Sequence, residues 1–200
     1  MKPDPRHTRI KQHLKEHPLK LVAWSGIVYR STTLKHARSE QLTDGKGALT
    51  HAGRWNPPEK FRAVYFSLTP EASVAEVFQT ANHYGIPSTS FRPRVIAAVQ
   101  VQLKKIVDLR PDAKAISSVC SLKELLGEDW PNATYQGRMT LSQTLGSLLH
   151  ASGIEGFLIP SAIGKGSDNL IIFNDNLHTD SHLEVLNAGE LDENLKDSDN

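Results

Sequence analysis

A glycine-rich segment in the first half of the chain holds an arginine suited to binding an anion. Residues 43–60 form eighteen positions dense in Gly, Pro, Asp and Asn, and Arg54 stands near their end. The planar guanidinium of Arg54 suits bidentate contacts with phosphate, and neighbouring glycine amides could add an anion nest. Long irregular loops in compact domains often carry function. An ordinary loop anchored in the core by Trp55 fits the same residues, so composition leaves both interpretations open.

Tyr65 and Glu76 are the next candidates, eleven residues apart. Tyr65 lies in a predicted strand, and Glu76 lies on the predicted helix that follows. At roughly 100° per residue, Glu76 lies about 200° around this helix from Val74, which belongs to its apolar stripe. The glutamate therefore points either to solvent or into a cleft. A solvated helix glutamate is the alternative to a catalytic carboxylate.

Ser161 is a third candidate, at the end of a predicted buried strand. Strand ends often carry ligand contacts, although an ordinary turn serine is the alternative. The sequence contains no G-x-x-x-x-G-K-[ST] phosphate loop and no G-x-S-x-G nucleophile elbow. It also contains no H-E-x-x-H motif, and nothing in it specifies a metal site. The single cysteine, Cys120, has no local reactive signature and is predicted to be a small buried side chain.

Periodicity and capping signals predict the elements that must position these residues. Thr69 and Pro70 form a helix start. Ser121 and Glu124 form a capping box before a second, short helix. Helices are predicted at 70–83, 121–127 and 141–151, and strands at 27–29, 63–67, 94–103, 157–159 and 170–173. Because these elements mix without a regular βαβ alternation, we expect an α+β fold.

Length and charge bound the class of protein. Two hundred residues favour one domain, and 23 basic against 22 acidic residues give a net charge of +1. That balance argues against a protein whose main task is direct binding of nucleic acid. No apolar run is long enough to span a membrane, no secretory signal is evident, and one cysteine cannot form an intrachain disulfide. A cytoplasmic location is the simplest expectation.

Charge is uneven along the chain and suggests its organisation. We expect a basic N-terminal arm at 1–20, a catalytic domain at 21–187 and an acidic C-terminal tail at 188–200. Both terminal segments are rich in charge of one sign, so we expect them to be solvated tails.

The order of the candidate residues resembles the RES domain family over roughly residues 27–175. The similarity is carried by VYRS at 28–31, GRWN at 53–56, Tyr65, the helix segment 72–76, and a late segment with Pro160-Ser161-Ala162 and Asn169-Leu170. The family takes its name from an arginine, a glutamate and a serine. In this chain these correspond to Arg54, Glu76 and Ser161, and Arg30 and Tyr65 match further positions of the family's pocket.

The resemblance implies a fold like that of ADP-ribosyltransferase toxins, with one domain, a mixed sheet and flanking helices. RES proteins are typically the toxin of a type II toxin–antitoxin pair. Their antitoxin has an Xre-type helix-turn-helix and covers the active site. Members degrade NAD by hydrolysis or phosphorolysis, and some ADP-ribosylate a protein instead.

Under this resemblance, Arg54, Tyr65 and Glu76 are the expected catalytic residues. Arg30, Arg54, Tyr65 and Ser161 are the expected substrate-binding residues. Cleavage of the nicotinamide–ribose bond develops an oxocarbenium ion, which one carboxylate, Glu76, would stabilise. Arg54, with Arg30, would hold the pyrophosphate, Tyr65 would stack on nicotinamide, and Ser161 would bind ribose or phosphate.

No metal and no resident cofactor are expected, because NAD is the substrate and nicotinamide leaves as a neutral molecule. Inorganic phosphate is an open co-substrate, and a homodimer is an open assembly. Two alternatives also remain: a protein ADP-ribosyltransferase toxin, and a catalytically silent module that only binds a nucleotide.

Overall fold

The structure, a computed structural model, describes residues 1–83, 85, 87, 92–110, 116–164 and 166–198. Its strands are β1 Leu21–Thr33, β2 Ala63–Ser67, β3 Arg94–Asp108, β4 Gly156–Pro160, β5 Asp168–Phe173 and β6 His182–Val185. The helices up to β3 are α1 His7–Glu16, α2 Ser39–Thr43, α3 Gly47–Thr50 and α4 Pro70–His83. Those after it are α5 Leu122–Gly127, α6 Trp130–Tyr135, α7 Leu141–Ala151 and α8 Ala188–Ser198.

The strands form one mixed sheet in the order β1-β2-β5-β4-β3-β6. An additional antiparallel pairing joins β1 to β3 and closes five of the strands into a ring. The β3–β4 pair is parallel and the other pairs are antiparallel. This arrangement of a mixed sheet with flanking helices confirms the predicted α+β class. Ser67, at the end of β2, lies opposite Asn169 on β5.

The two central strands β4 and β5 are buried on both faces. Phe157 and Phe173 pack into one hydrophobic cluster with Trp55, whereas Leu158 and Ile172 pack into a second cluster on the opposite face. Burial on both faces explains why these strands read as continuous apolar runs rather than alternating ones. Cys120 is buried, as predicted, and burial raises the pKa of its thiol to about 11.

The three helices predicted from the sequence are present, and α4 and α5 begin at their predicted capping signals. The Ala72 amide donates to the Thr69 hydroxyl at 3.2 Å, which caps the first turn of α4. The predicted capping box at Ser121 and Glu124 is present before α5, and Thr140 and Gln143 form another before α7. In the part of the chain that the structure describes, no helix is long and apolar enough to cross a membrane.

Both chain ends pack on the domain, so the expectation of solvated tails is wrong. Ile10 on α1 is fully buried in the core, and α1 packs against α7. In α8, Leu195 is buried and the Asp192 carboxylate accepts hydrogen bonds from the amide and hydroxyl of Ser39. The charged residues that suggested tails cover the outer faces of amphipathic helices, whose few apolar positions carry the packing. The last two residues, 199–200, lie outside the described chain.

Two strands are longer than predicted, and the glycine-rich segment is more ordered. Strand β1 extends from Leu21 and β3 extends to Asp108, because polar residues alternate along their half-exposed faces and obscure the apolar pattern. Within 43–60, the chain forms the single helical turn α3 before it becomes irregular. Residues 161–167 join β4 to β5, and Lys165 among them lies outside the described residues.

Candidate active site

The predicted site residues lie together in one cleft. Arg30, Arg54, Tyr65 and Glu76 line a cavity of about 390 Å³ between the 47–56 segment, helix α4 and the start of β5. Ser161 joins them through a direct hydrogen bond to Glu76. The five side chains come from β1, the glycine-rich segment, β2, α4 and the end of β4, so only the complete sheet brings them together.

Glu76 is fixed by donors from the β4–β5 end of the sheet. The Ser161 hydroxyl and the Asn169 side-chain amide both donate to its Oε1 atom, the amide at 2.7 Å. Ser67 in turn donates to Asn169 Oδ1 at 3.1 Å. The carboxylate therefore faces the cleft. Helix periodicity allowed two orientations, toward solvent or into a cleft, and the structure has the second. These hydrogen bonds hold the carboxylate in one direction.

Arg54 is anchored through one nitrogen. Its Nη1 donates to the backbone carbonyls of Leu125 at 3.0 Å and Glu128 at 3.4 Å. Among the described residues its Nε and Nη2 atoms have no hydrogen-bond partner, so they can donate to a ligand in the cleft. Burial lowers the pKa of Arg54, and the charges of Glu76 and Glu128 oppose that shift. The guanidinium stays protonated at neutral pH.

Tyr65 holds the arginine loop through its hydroxyl. That hydroxyl donates to Asn56 Oδ1 at 2.7 Å and accepts the Trp55 amide at 3.0 Å. Burial raises the pKa of Tyr65, so the phenol stays protonated. A side chain at position 53 would place its Cβ 2.5 Å from this hydroxyl, so the loop requires Gly53. The hydroxyl is thus committed to the protein, and Tyr65 orients the loop as well as lining the cleft.

Arg30 supplies a second half-buried cation. It lies on β1 opposite Ala97 of β3, and its Nη1 donates to the Leu42 carbonyl at 2.7 Å. Burial lowers the pKa of Arg30, and the charge of Asp44 opposes that shift. Two arginines in one cleft of a protein with net charge +1 concentrate positive charge there, which suits an anionic ligand.

Three polar residues of the site were not singled out from the sequence. Asn56 ties the loop together, since its side-chain amide donates to the carbonyls of Ala48 and His51. Asn169 holds Glu76. Glu128 lines the cleft, and its carboxylate accepts the first amides of α7. Asn56 and Asn169 lie within the motifs that carry the family resemblance, so those motifs could have identified both residues from the sequence.

A segment between β3 and β4 forms one wall of the cleft. Residues 122–135, comprising α5 and α6, are called the strap below. Their side chains that line the cleft are Leu126, Glu128, Trp130 and Pro131. Within the described residues no group of three or more His, Cys, Asp or Glu side chains is arranged to hold a metal ion.

Comparison with known proteins agrees with this geometry. The model of the RES domain matches residues 27–192, and the chain therefore belongs to the RES domain family. Two relatives, from Mycobacterium bovis and Mycobacterium tuberculosis, are named NAD(+) phosphorylase MbcT. Each is 28% identical over 151 residues, which cover 72% of this chain and 72% of the relative.

A solved structure has the same fold. It is the crystal structure of the Mycobacterium tuberculosis MbcT–MbcA toxin–antitoxin complex, with a TM-score of 0.66 and 21% sequence identity. The match covers 92% of this chain and 95% of the other. The family predicted from the order of arginine, glutamate and serine is thus confirmed.

Proposed function

We propose that this protein is an NAD-consuming toxin enzyme that breaks the bond between nicotinamide and ribose. The observation that carries the proposal is the Glu76 carboxylate, held by Ser161 and Asn169 in the same cleft as Arg54. The naming of the 28% identical relatives as NAD(+) phosphorylases supports the same chemistry.

The arrangement suits departure of a neutral leaving group. The C–N bond breaks, its electron pair stays on the nicotinamide nitrogen, and positive charge develops on the ribose C1′ and ring oxygen. Glu76 stabilises that charge, in the way glycosidase carboxylates stabilise an oxocarbenium ion. The diphosphate lies on the unpartnered side of Arg54 and near Arg30. An acceptor oxygen then bonds to C1′ and loses its proton, and no metal or resident cofactor is needed.

Inorganic phosphate is the acceptor we favour, because the relatives are named phosphorylases. The purified protein should release nicotinamide from NAD faster when phosphate is added, and the other product should be ADP-ribose carrying a new phosphate on C1′. Chelation of metals should leave the rate unchanged. Plain ADP-ribose would indicate hydrolysis, and label transferred to protein would indicate an ADP-ribosyltransferase. Binding of NAD without release of nicotinamide would contradict enzymatic activity and favour the silent binding module.

We further propose that a second protein restrains this activity in the cytoplasm. The solved relative is a toxin–antitoxin complex, which supports an antitoxin partner, and the family resemblance favours an Xre-type helix-turn-helix protein. An acidic or C-terminal segment of that partner would reach Arg54 and Arg30 and compete with NAD. A homodimer is the alternative assembly, and light scattering on the purified chain distinguishes it from a monomer.

Expression of the chain alone in bacteria should stop growth while cellular NAD falls. Co-expression of the gene beside its own should restore growth and NAD together. Normal growth with undiminished NAD, in cells that contain soluble folded protein, would contradict the toxin proposal. Arrested growth with undiminished NAD would instead favour modification of a protein target.

A further inference from the structure

The strap is held rigidly against the arginine loop. Its Leu125 is buried in the core, and the Leu125 and Glu128 carbonyls accept from Arg54. The Glu128 carboxylate caps the N-terminus of α7 by accepting the amides of Leu141 at 2.7 Å and Ser142 at 2.8 Å. The strap backbone is therefore fixed at both the arginine loop and α7.

An indole ring lies on the cleft side of this fixed backbone. Trp130 is the first residue of α6, Pro131 follows it, and the Asp129 side chain caps the helix by accepting the Asn132 amide at 3.2 Å. Trp130 is half-buried and lines the cleft together with Leu126 and Pro131. Burial of the strap against the core is achieved by Leu125 and Ala133, so packing does not explain why an indole faces the cleft.

The cleft thus has two chemically different parts, both connected to Arg54. Glu76, with Ser161 and Asn169, forms the polar part, and its charge interacts with Arg54. The strap contributes the apolar side chains Leu126, Trp130 and Pro131 beside the Glu128 carboxylate, and its backbone carbonyls accept from Arg54 Nη1. A dinucleotide whose diphosphate lies on Arg54 and whose scissile ribose lies at Glu76 must place its other nucleoside elsewhere in the cleft.

We propose that Trp130, which lines the cleft together with Leu126 and Pro131, is the binding site for the purine ring of that other nucleoside. The inference rests on the proposed function, because it assigns the second half of the same substrate. Stacking of a base on an aromatic side chain contributes roughly 5- to 150-fold in affinity as measured by alanine substitution. Leu126 and Pro131 line the same cleft and add apolar surface that a purine ring can cover.

The test compares NAD with nicotinamide mononucleotide, which keeps the scissile bond but has no adenosine. In the Trp130→Ala variant kcat/KM for NAD should fall about tenfold or more, mainly through KM, and kcat/KM for the mononucleotide should stay within about twofold. Trp130→Phe keeps an aromatic ring and should recover most of the loss. Tyr135→Ala is the matched control, since Tyr135 is an aromatic residue of the same helix that is 92% exposed.

A binding measurement separates this inference from the proposed function. ADP-ribose contains the adenine and the diphosphate but no nicotinamide bond, so calorimetry with it does not depend on turnover. Trp130→Ala should weaken ADP-ribose binding about tenfold, with Tyr135→Ala unchanged. Equal losses on NAD and the mononucleotide, an unchanged affinity for ADP-ribose, or no binding of ADP-ribose by the parent would each overturn the purine site. Absence of nicotinamide release by a parent that binds ADP-ribose through Trp130 would contradict only the proposed reaction.

Discussion

Two side chains hold the Oε1 atom of Glu76. Ser161 and Asn169 both donate to Oε1, and Asn169 is itself oriented by Ser67. A carboxylate placed to stabilise a cation must keep both its charge and its direction, and these neighbours supply the direction. Catalysis should therefore be sensitive to the charge of Glu76 and, to a smaller extent, to the side chains that hold it.

Glu76→Gln keeps the shape of the side chain and removes its charge. Turnover of NAD should fall about 10²- to 10³-fold while the affinity for NAD is largely retained, because the lost interaction acts on charge that develops in the transition state. Steady-state kinetics together with calorimetry measure the two effects. Glu71→Gln, an exposed glutamate in the first turn of the same helix, is the control and should behave like the parent. An unchanged turnover number in Glu76→Gln would refute the assigned role.

Asn169→Ala tests the positioning of that carboxylate. The variant removes the 2.7 Å hydrogen bond to Glu76, so kcat should fall about tenfold while KM changes little. Ser67→Ala removes only the second link, from the Ser67 hydroxyl to Asn169, and should cost less. Asn169 would have only a structural role if the melting temperature fell with no change in kcat, or if kcat and KM changed together.

Helix α7 supports the arginine loop from behind. A Cβ at Gly146 would overlap the Trp55 carbonyl oxygen, so the helix can approach the loop only because this position lacks a side chain. The Gln143 side chain also donates to the Gly53 carbonyl at 3.1 Å. The position of Arg54 is therefore set jointly by the strap, Tyr65 and α7.

Gly146→Ala should distort this contact. In an exposed helix the change would stabilise by about 1 kcal/mol, but here overpacking should destabilise the protein by about 1–3 kcal/mol and weaken NAD binding by displacing Arg54. Denaturant unfolding and NAD affinity are the measurements. Gly189→Ala in α8 is the matched control, since nothing lies within 4 Å of its added Cβ. Equal stability of the two variants would show that the loop moves aside freely.

Local signals in the sequence predicted many helices and strands. The features that the sequence analysis missed depend on contacts between residues that are distant in the chain. Helix α4 and strand β2 have the predicted bounds because capping residues and apolar spacing are written in adjacent positions. Asn169 on β5 lies opposite Ser67 at the end of β2, and the helix that carries Glu76 follows β2. This pairing of strands that are distant in the sequence is not encoded by any local pattern. The packing of Ile10 was missed for a similar reason, since the charge around it indicated a solvated arm.

Glu155 connects distant parts of the molecule. Its buried carboxylate accepts the amides of Lys104 and Lys105, both at 2.6 Å, and the amide of His178 at 2.9 Å. Burial would raise the pKa of Glu155, but the Ser181 side chain and the backbone amides of His178, Lys105 and Lys104 together outweigh burial and hold the pKa below its usual value. One side chain thus joins β3, the start of β4 and the segment that leads to β6.

Glu155→Gln should destabilise the protein by about 2–3 kcal/mol near neutral pH, because an amide group then faces backbone donors. A depressed pKa in the folded state stabilises the protein fully above the unfolded value of about 4.5, and this contribution is lost as pH falls through the folded pKa. The difference in unfolding free energy between parent and variant should therefore shrink below about pH 4.5. Urea unfolding from pH 7 to pH 3 measures it, and a constant difference across that range would contradict the assignment.

The Glu76 carboxylate and the residues that hold it are far apart along the chain, so the ribosome makes them at different times. Ser161 and Asn169 follow Glu76 by 85 and 93 residues. A ribosome adding about 5–20 residues per second needs roughly 5–20 s to cover that distance. A nascent chain therefore carries Glu76 for several seconds before its supporting hydroxyl and amide exist. Because β4 and β5 are made after Glu76, the proposed cleft is completed late in synthesis, and the partner proposed above, when made in the same interval, can bind before the cleft is complete.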